Sequence, residues 1–117
     1  MSKLLLYLGK GQAFDLEPTI QAILSIPGVA KARRGSFIGS VFECEYAFDD
    51  ASTIVRIAND LETIIVEGLG SEAANFAMEL QQRTVLPLKA VDMEYSFELR
   101  LSDYSSRTAL VQAMSGV

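Results

Sequence analysis

Apolar and polar residues recur along this chain with two different periods. Leu4 to Leu8 is a continuous apolar run that stops at Gly9-Lys10-Gly11. A short run bounded by glycine predicts a central strand buried on both faces. Asp15 then stands as a helix cap, with Glu17 and Pro18 in the first turn and Ile20, Ile23 and Leu24 on one face. That helix stops at Pro27-Gly28. Val29 to Arg34 predicts a short strand broken at Gly35-Ser36. Phe42, Cys44, Tyr46 and Phe48 alternate with Glu43, Glu45 and Ala47, the period-2 signature of a half-buried strand. Thr53 to Ala58 and Thr63 to Val66 predict two further strands joined at Asn59-Asp60. A helix is expected from Glu72 to Arg83 with Ser71 as its cap, and its inner stripe is Ala73, Phe76, Ala77 and Leu80. Met93, Tyr95, Phe97, Leu99 and Leu101 alternate with Glu94, Ser96, Glu98 and Arg100, which predicts one long strand over 93–101. A last helix is expected over 105–114, with Leu110, Val111 and Met114 inward.

The resulting order, β-α-β-β-β-β-α-β-α, fits one α+β domain over residues 1–117. Its mostly antiparallel sheet would be covered on one face by two or three helices. The opening strand–helix–strand segment suggests a ferredoxin-like start, a pattern shared by many unrelated small domains. The inward residues of the two best alternating segments, Phe42, Cys44, Tyr46, Phe48, Tyr95, Phe97 and Leu99, form the expected core.

Composition narrows the chemistry. The 117 residues include no histidine, no tryptophan and one cysteine, Cys44. Without histidine the chain cannot build a Ser-His or Cys-His nucleophile pair or a histidine-rich metal site. One cysteine forms no internal disulfide. Fifteen acidic against ten basic residues give a net charge of −5. That balance argues against general binding to nucleic acid or anionic membrane, both of which need a basic footprint. Met1-Ser2-Lys3 followed by a five-residue apolar run lacks a signal-peptide pattern, and no stretch reaches the roughly 20 apolar residues of a membrane span. The expected compartment is the cytoplasm.

Gly68-Leu69-Gly70-Ser71-Glu72-Ala73 matches G-x-G-x-x-A after a strand and before a helix, with Asp92 downstream at the spacing of a ribose-binding acid. Against a dinucleotide stand the short chain, the antiparallel context and Glu67 beside the loop. A tight turn and helix start explain the same residues, and no cofactor is expected. Gly9-Lys10-Gly11-Gln12 lacks the spacing of a phosphate loop and reads as a turn. Cys44, between Glu43 and Glu45, reads as a buried, unreactive thiol. Lys31, Arg33 and Arg34 form the one basic cluster, and Arg56 and Arg100 are expected to pair with acids across the sheet.

Glu43, Glu45, Glu94 and Glu98 share a phase on the two alternating segments, and Glu62 is a candidate to join them. If those strands present their polar residues on one sheet face, that face is acidic. Its simplest meaning is a solvated surface. Its functional meaning is a docking surface for a basic protein, since charge complementarity speeds encounter and fixes register. An open sheet face does not supply the desolvated setting a catalytic carboxylate pair needs. The expectation is therefore a small non-enzymatic binding protein acting through a protein–protein surface, of which an immunity or antitoxin-type protein is a concrete version. The alternatives are a ferredoxin-like ligand-binding or regulatory domain, dimeric, with its ligand near Gly68–Ser71 or Gly9–Gly11, and an enzyme working with carboxylates, tyrosine and arginine. A homodimer is compatible with the first reading as well.

Overall fold

The computed structural model describes residues 3–9, 11–37 and 39–114, with the backbone alone at 36 and 37. It is an α+β fold. Strand β1 (Lys3–Tyr7) leads to helix α1 (Leu16–Leu24), then to the strands β2 (Val29–Phe37), β3 (Ser40–Phe48), β4 (Ala51–Ala58) and β5 (Ile64–Glu67). Helix α2 (Ser71–Gln82), strands β6 (Lys89–Asp92) and β7 (Glu98–Arg100), a 3-10 turn at Leu101–Asp103 and helix α3 (Arg107–Met114) complete it. The seven strands form one antiparallel sheet in the order β2-β3-β4-β5-β1-β6-β7.

Period-2 patterning decides which face is buried. Leu4, Leu6, Phe42, Cys44, Tyr46, Val55, Ile57, Ile64, Val66 and Ala90 point to one face and are buried there with Ile20 and Ile23 of α1, Ala73, Phe76, Ala77 and Leu80 of α2, and Leu110 of α3. The helices therefore cover one face. Tyr46 and Phe76 meet edge-on with ring centres 5.3 Å apart, and Asn75 donates to the Tyr46 hydroxyl at 2.5 Å, so the tyrosine's one polar atom is satisfied inside. The alternation of β1 departs from the sequence reading: Leu4 and Leu6 are buried, while Lys3, Leu5 and Tyr7 lie half-buried on the opposite face.

Strand β1 pairs with β5 on one side and β6 on the other, antiparallel to both, so β5 and β6 run parallel with β1 between them. The β5-α2-β6 segment is thus a split β-α-β unit closed around the first strand. The opening β1-α1-β2 crossover spans three intervening strands and places β2 at the sheet edge.

The predicted strand over 93–101 is the main correction. The chain instead turns after Asp92. Asp92 accepts the Ser96 amide at 2.7 Å and also the Ser96 hydroxyl, and Tyr95 sits at φ +55. This is side-chain turn chemistry, in which a short polar residue bonds the backbone a few residues on. It reverses the chain before β7 begins at Glu98. Tyr95 is therefore 76% exposed, and Phe97, Leu99 and Phe48 are only partly buried, whereas Phe42, Cys44 and Tyr46 are buried as expected. Helix α2 begins one residue earlier than predicted, with Gly70 in the cap position and Ser71 as its first residue. Among the described residues no helix is long and apolar enough to cross a membrane.

Candidate functional site

The sheet face opposite the helices carries the residues that the core does not use. Register places Glu43 beside Arg33 and Arg56, Arg56 beside Ile65, Ile65 beside Leu5, Leu5 beside Val91, and Val91 beside Glu98. In an antiparallel sheet cross-strand partners share a face, so this row crosses all seven strands on the uncovered side. Its two ends are charged and its middle is apolar.

On the β2–β5 half the charges neutralise one another. Arg33 meets Glu43 at 2.5 Å, Arg56 bridges Glu43 at 3.0 Å and Glu67 at 3.1 Å, Lys3 lies 3.7 Å from Glu67, and Lys31 lies 3.7 Å from Glu45. Hydrogen bonds from Arg33 and Arg56 hold the Glu43 carboxyl below the usual carboxylate range. Such a carboxylate is a poor proton acceptor. The stability it contributes is present at neutral pH and is lost as pH falls through its lowered pKa.

The other half is built from three segments that meet beside the end of β1. Gly9 and Gly11 form a turn there, closed by the Gln12 amide donating to Gly9 O at 3.0 Å. Lys10 of the Gly9–Gln12 motif lies outside the described residues. The loop after β4 is fixed by the Phe14 amide donating to Leu61 O at 2.6 Å and by the Glu62 amide donating to Asp60 at 2.9 Å. The third segment is the Asp92–Ser96 turn. Together they enclose a depression of about 260 Å3 lined by Leu5, Tyr7, Gly9, Gly11, Glu62, Thr63, Val91 and Tyr95. Val91 is 3% exposed although it lies on the uncovered face. The Tyr7 hydroxyl donates to Glu98 across the sheet, and the Lys89 ammonium stands 5.9 Å from the Tyr7 ring centre. Burial, then the bond to Glu98 and its negative charge, push the Tyr7 phenol up to about 12, so it stays protonated and remains a donor.

The four glutamates singled out in the sequence are not gathered at one place. Glu43 and Glu45 lie on β3 and Glu98 on β7, five strand spacings away, about 24 Å at the usual 4.8 Å per strand. Glu94 lies in the turn after β6. The face is also not acidic: Lys3, Lys31, Arg33, Arg56, Lys89 and Arg100 share it with Glu43, Glu45, Glu67 and Glu98. Arg56 pairs with acids across the sheet as expected. Arg100 instead meets Asp103 three residues on, at 3.3 Å. Sequence reasoning missed Tyr7, which lies inside an apolar run, and Lys89. Tyr7 is the polar-tipped residue of its run, and that tip was the available signal.

The glycine cluster is a helix start. The Glu72 carboxylate lies against Gly70, so close that a Cβ there would fall 2.8 Å from it, and it sets a negative charge beside the glycines that would repel a phosphate. Asp92 is consumed by the Ser96 turn, whose hydrogen bonds lower its pKa. Cys44 is buried, and desolvation followed by the charges of Glu43 and Glu45 pushes its thiol up to about 12. Native protein at pH 8 is therefore expected to react with a thiol reagent orders of magnitude more slowly than denatured protein. Equal labelling rates would contradict the burial. The same shift gives a stability slope. An unfolded thiol ionises near pH 9 while the native one does not, so stability should fall by about 1.4 kcal/mol per pH unit from there until about pH 12. In Cys44→Ala this component of the alkaline loss should vanish.

On the helix side, an apolar groove of about 290 Å3 runs between α1 and the end of α2, lined by Phe14, Pro18, Ala22, Leu80, Leu86 and Leu88 among others. Among the described residues no group of three or more Cys, Asp or Glu is placed to hold a metal ion. In comparisons with protein-family models, with curated proteins and with solved structures, none matches this chain.

Proposed function

We propose that this chain is a non-enzymatic binding protein whose working surface is the uncovered sheet face. The observation that carries the reading is the composition of that face from edge to edge. Its middle is apolar, with Leu5, Ile65 and Val91 flanked by Tyr7 and Tyr95 and with Ile54 beside Glu45 toward β3; its β2–β4 margin is built of ion pairs and its β7 margin carries Glu98 and Arg100. Protein interfaces have this anatomy, an apolar and aromatic centre inside a charged rim. Two further features support binding over catalysis. Glu43 and Glu67 are held by Arg56, and the Cys44 thiol is protonated at neutral pH. An immunity or antitoxin-type role is the concrete form of the proposal: the rigid face would lie over a partner's active site and occlude it.

The test compares folded variants in capture experiments from the cells that make the chain. Ile54→Gln with Ile65→Gln alters the centre of the sheet face. Leu24→Ser with Leu86→Ser alters exposed apolar residues on the helix side. A protein captured by the parent and by the helix-side variant, but lost at least tenfold with the sheet-face variant, is the expected result. A partner retained equally by both variants, with circular dichroism showing both folded, rejects the sheet face. Inhibition of that partner's activity at one-to-one stoichiometry would establish the neutralising role.

A further inference from the structure

The uncovered face divides its carboxylates into two classes. Glu43, Glu45 and Glu67 each meet a cation. Glu62 and Glu98 meet none among the described residues, and neither does Glu94. Glu62 lines the depression beside the end of β1, and Glu98 is bound to Tyr7 of its wall. Glu62 is thus a wall of the hollow, and Glu98 adjoins it through the Tyr7 hydroxyl. Leu5 and Val91 give it an apolar floor, and Tyr7 and Tyr95 give it aromatic walls. Lys89, the nearest cation on the sheet, is set over the Tyr7 ring.

Each component selects the same chemistry. Tyrosine faces attract a cation through the ring quadrupole. An apolar floor accepts the methylene stem of a long basic side chain while its head stays at the rim. Carboxylates at the rim bond a planar guanidinium in fork geometry. Tyr95 is held at φ +55, a strained backbone for a bulky residue, by the turn that Asp92 builds. The turn leaves the Tyr95 ring exposed at the wall.

We propose that the Tyr7–Tyr95 hollow, with Glu62 in its wall and Glu98 adjoining it, receives an arginine side chain of the partner protein. The inference rests on the docking reading above and adds the partner's chemistry to it. Gly9 and Gly11, the loop over Ala58–Thr63 and the β6–β7 turn then define the contact that sets orientation on the face.

The probe is a capped Gly-Arg-Gly peptide, with the same peptide carrying citrulline as its neutral isostere, titrated into the full chain and followed by amide and tyrosine NMR shifts. The arginine peptide should shift Leu5, Tyr7, Val91 and Tyr95 together, and the citrulline peptide should bind at least tenfold more weakly. Glu62→Gln with Glu98→Gln, which keeps the acceptor for Tyr7, should weaken the arginine peptide at least tenfold. Equal shifts from both peptides, shifts confined to other residues, or none at saturating peptide would overturn the site. Capture of the partner separates this inference from the docking face. Capture abolished by Ile54→Gln with Ile65→Gln but unchanged by Glu62→Gln with Glu98→Gln removes the arginine site and keeps the face.

Discussion

Phe42→Ala is expected to destabilise the protein by about 3–5 kcal/mol, measured as a shift in the denaturant midpoint at unchanged slope. Phe42 is 1% exposed and sits on β3, where it faces the helices together with Cys44 and Tyr46. Removing its ring deletes the transfer energy and leaves a cavity between two rigid layers that cannot collapse into it. Marginal domains hold about 5–15 kcal/mol in total, so this one change consumes roughly a fifth of it or more. The same truncation at Phe97 should cost about 1–2 kcal/mol, because that ring is only partly buried against the core edge. Equal losses at the two positions would mean that β7 and its turn are packed more deeply than the structure shows.

Gly28→Ala is expected to be comparably severe, at about 3 kcal/mol or more, although it adds one methyl group. Gly28 sits at φ +98, and a Cβ built there falls 2.4 Å from the carbonyl oxygen of Ala47. That oxygen belongs to backbone of β3, and the Ala47 amide is itself bonded to Gly28 O at 3.0 Å, so neither side can yield. Gly11→Ala is the control. Its φ is +76 and no atom lies within 4 Å of the added methyl, so only the left-handed backbone penalty of about 1 kcal/mol remains. If the two substitutions cost the same, the close approach of the α1–β2 turn to β3 is not real.

Most of the architecture was legible where the period of the pattern agreed with the turn residues around it. Phe42 to Phe48 alternates strictly and is bounded by Gly39 and by Asp49-Asp50, and it forms a strand with its aromatic side inward. Met93 to Leu101 alternates just as strictly, yet its first half is a turn. Periodicity reports only what a segment would bury if extended. Asp92 and Ser96 gave the backbone a competing set of hydrogen bonds, and those prevailed. The candidate site was legible in part for a related reason. Alternation put Glu43, Glu45 and Glu98 on the correct face, but it carries no information about strand order, which sets them about 24 Å apart by strand spacing. Of their cationic partners, Arg56 on β4 was legible as a cross-strand pair, whereas Arg33, on the other side of β3, was read only as part of a basic cluster. Tyr7 and Tyr95 were both assigned to the interior as apolar residues in strands. Only the topology shows that β1 exposes one edge of its alternation on a face that no helix covers.

The position of β1 has a consequence for how the chain acquires its structure. Strands β2 to β5 pair in series through short turns, so their meander closes only local loops and can form early. Strand β1 precedes them all, yet its partners are Ile64 to Glu67 on one side and Lys89 to Asp92 on the other. Until α2 has crossed over and β6 has arrived, one edge of Leu4-Leu5-Leu6 has no ladder to join, and three consecutive leucines lie on an open strand. Closure of the split unit around β1, the most non-local pairing in the sheet, is therefore the step expected to be slow in refolding kinetics. During that interval the leucine strand is the segment through which two unfinished chains would pair with each other.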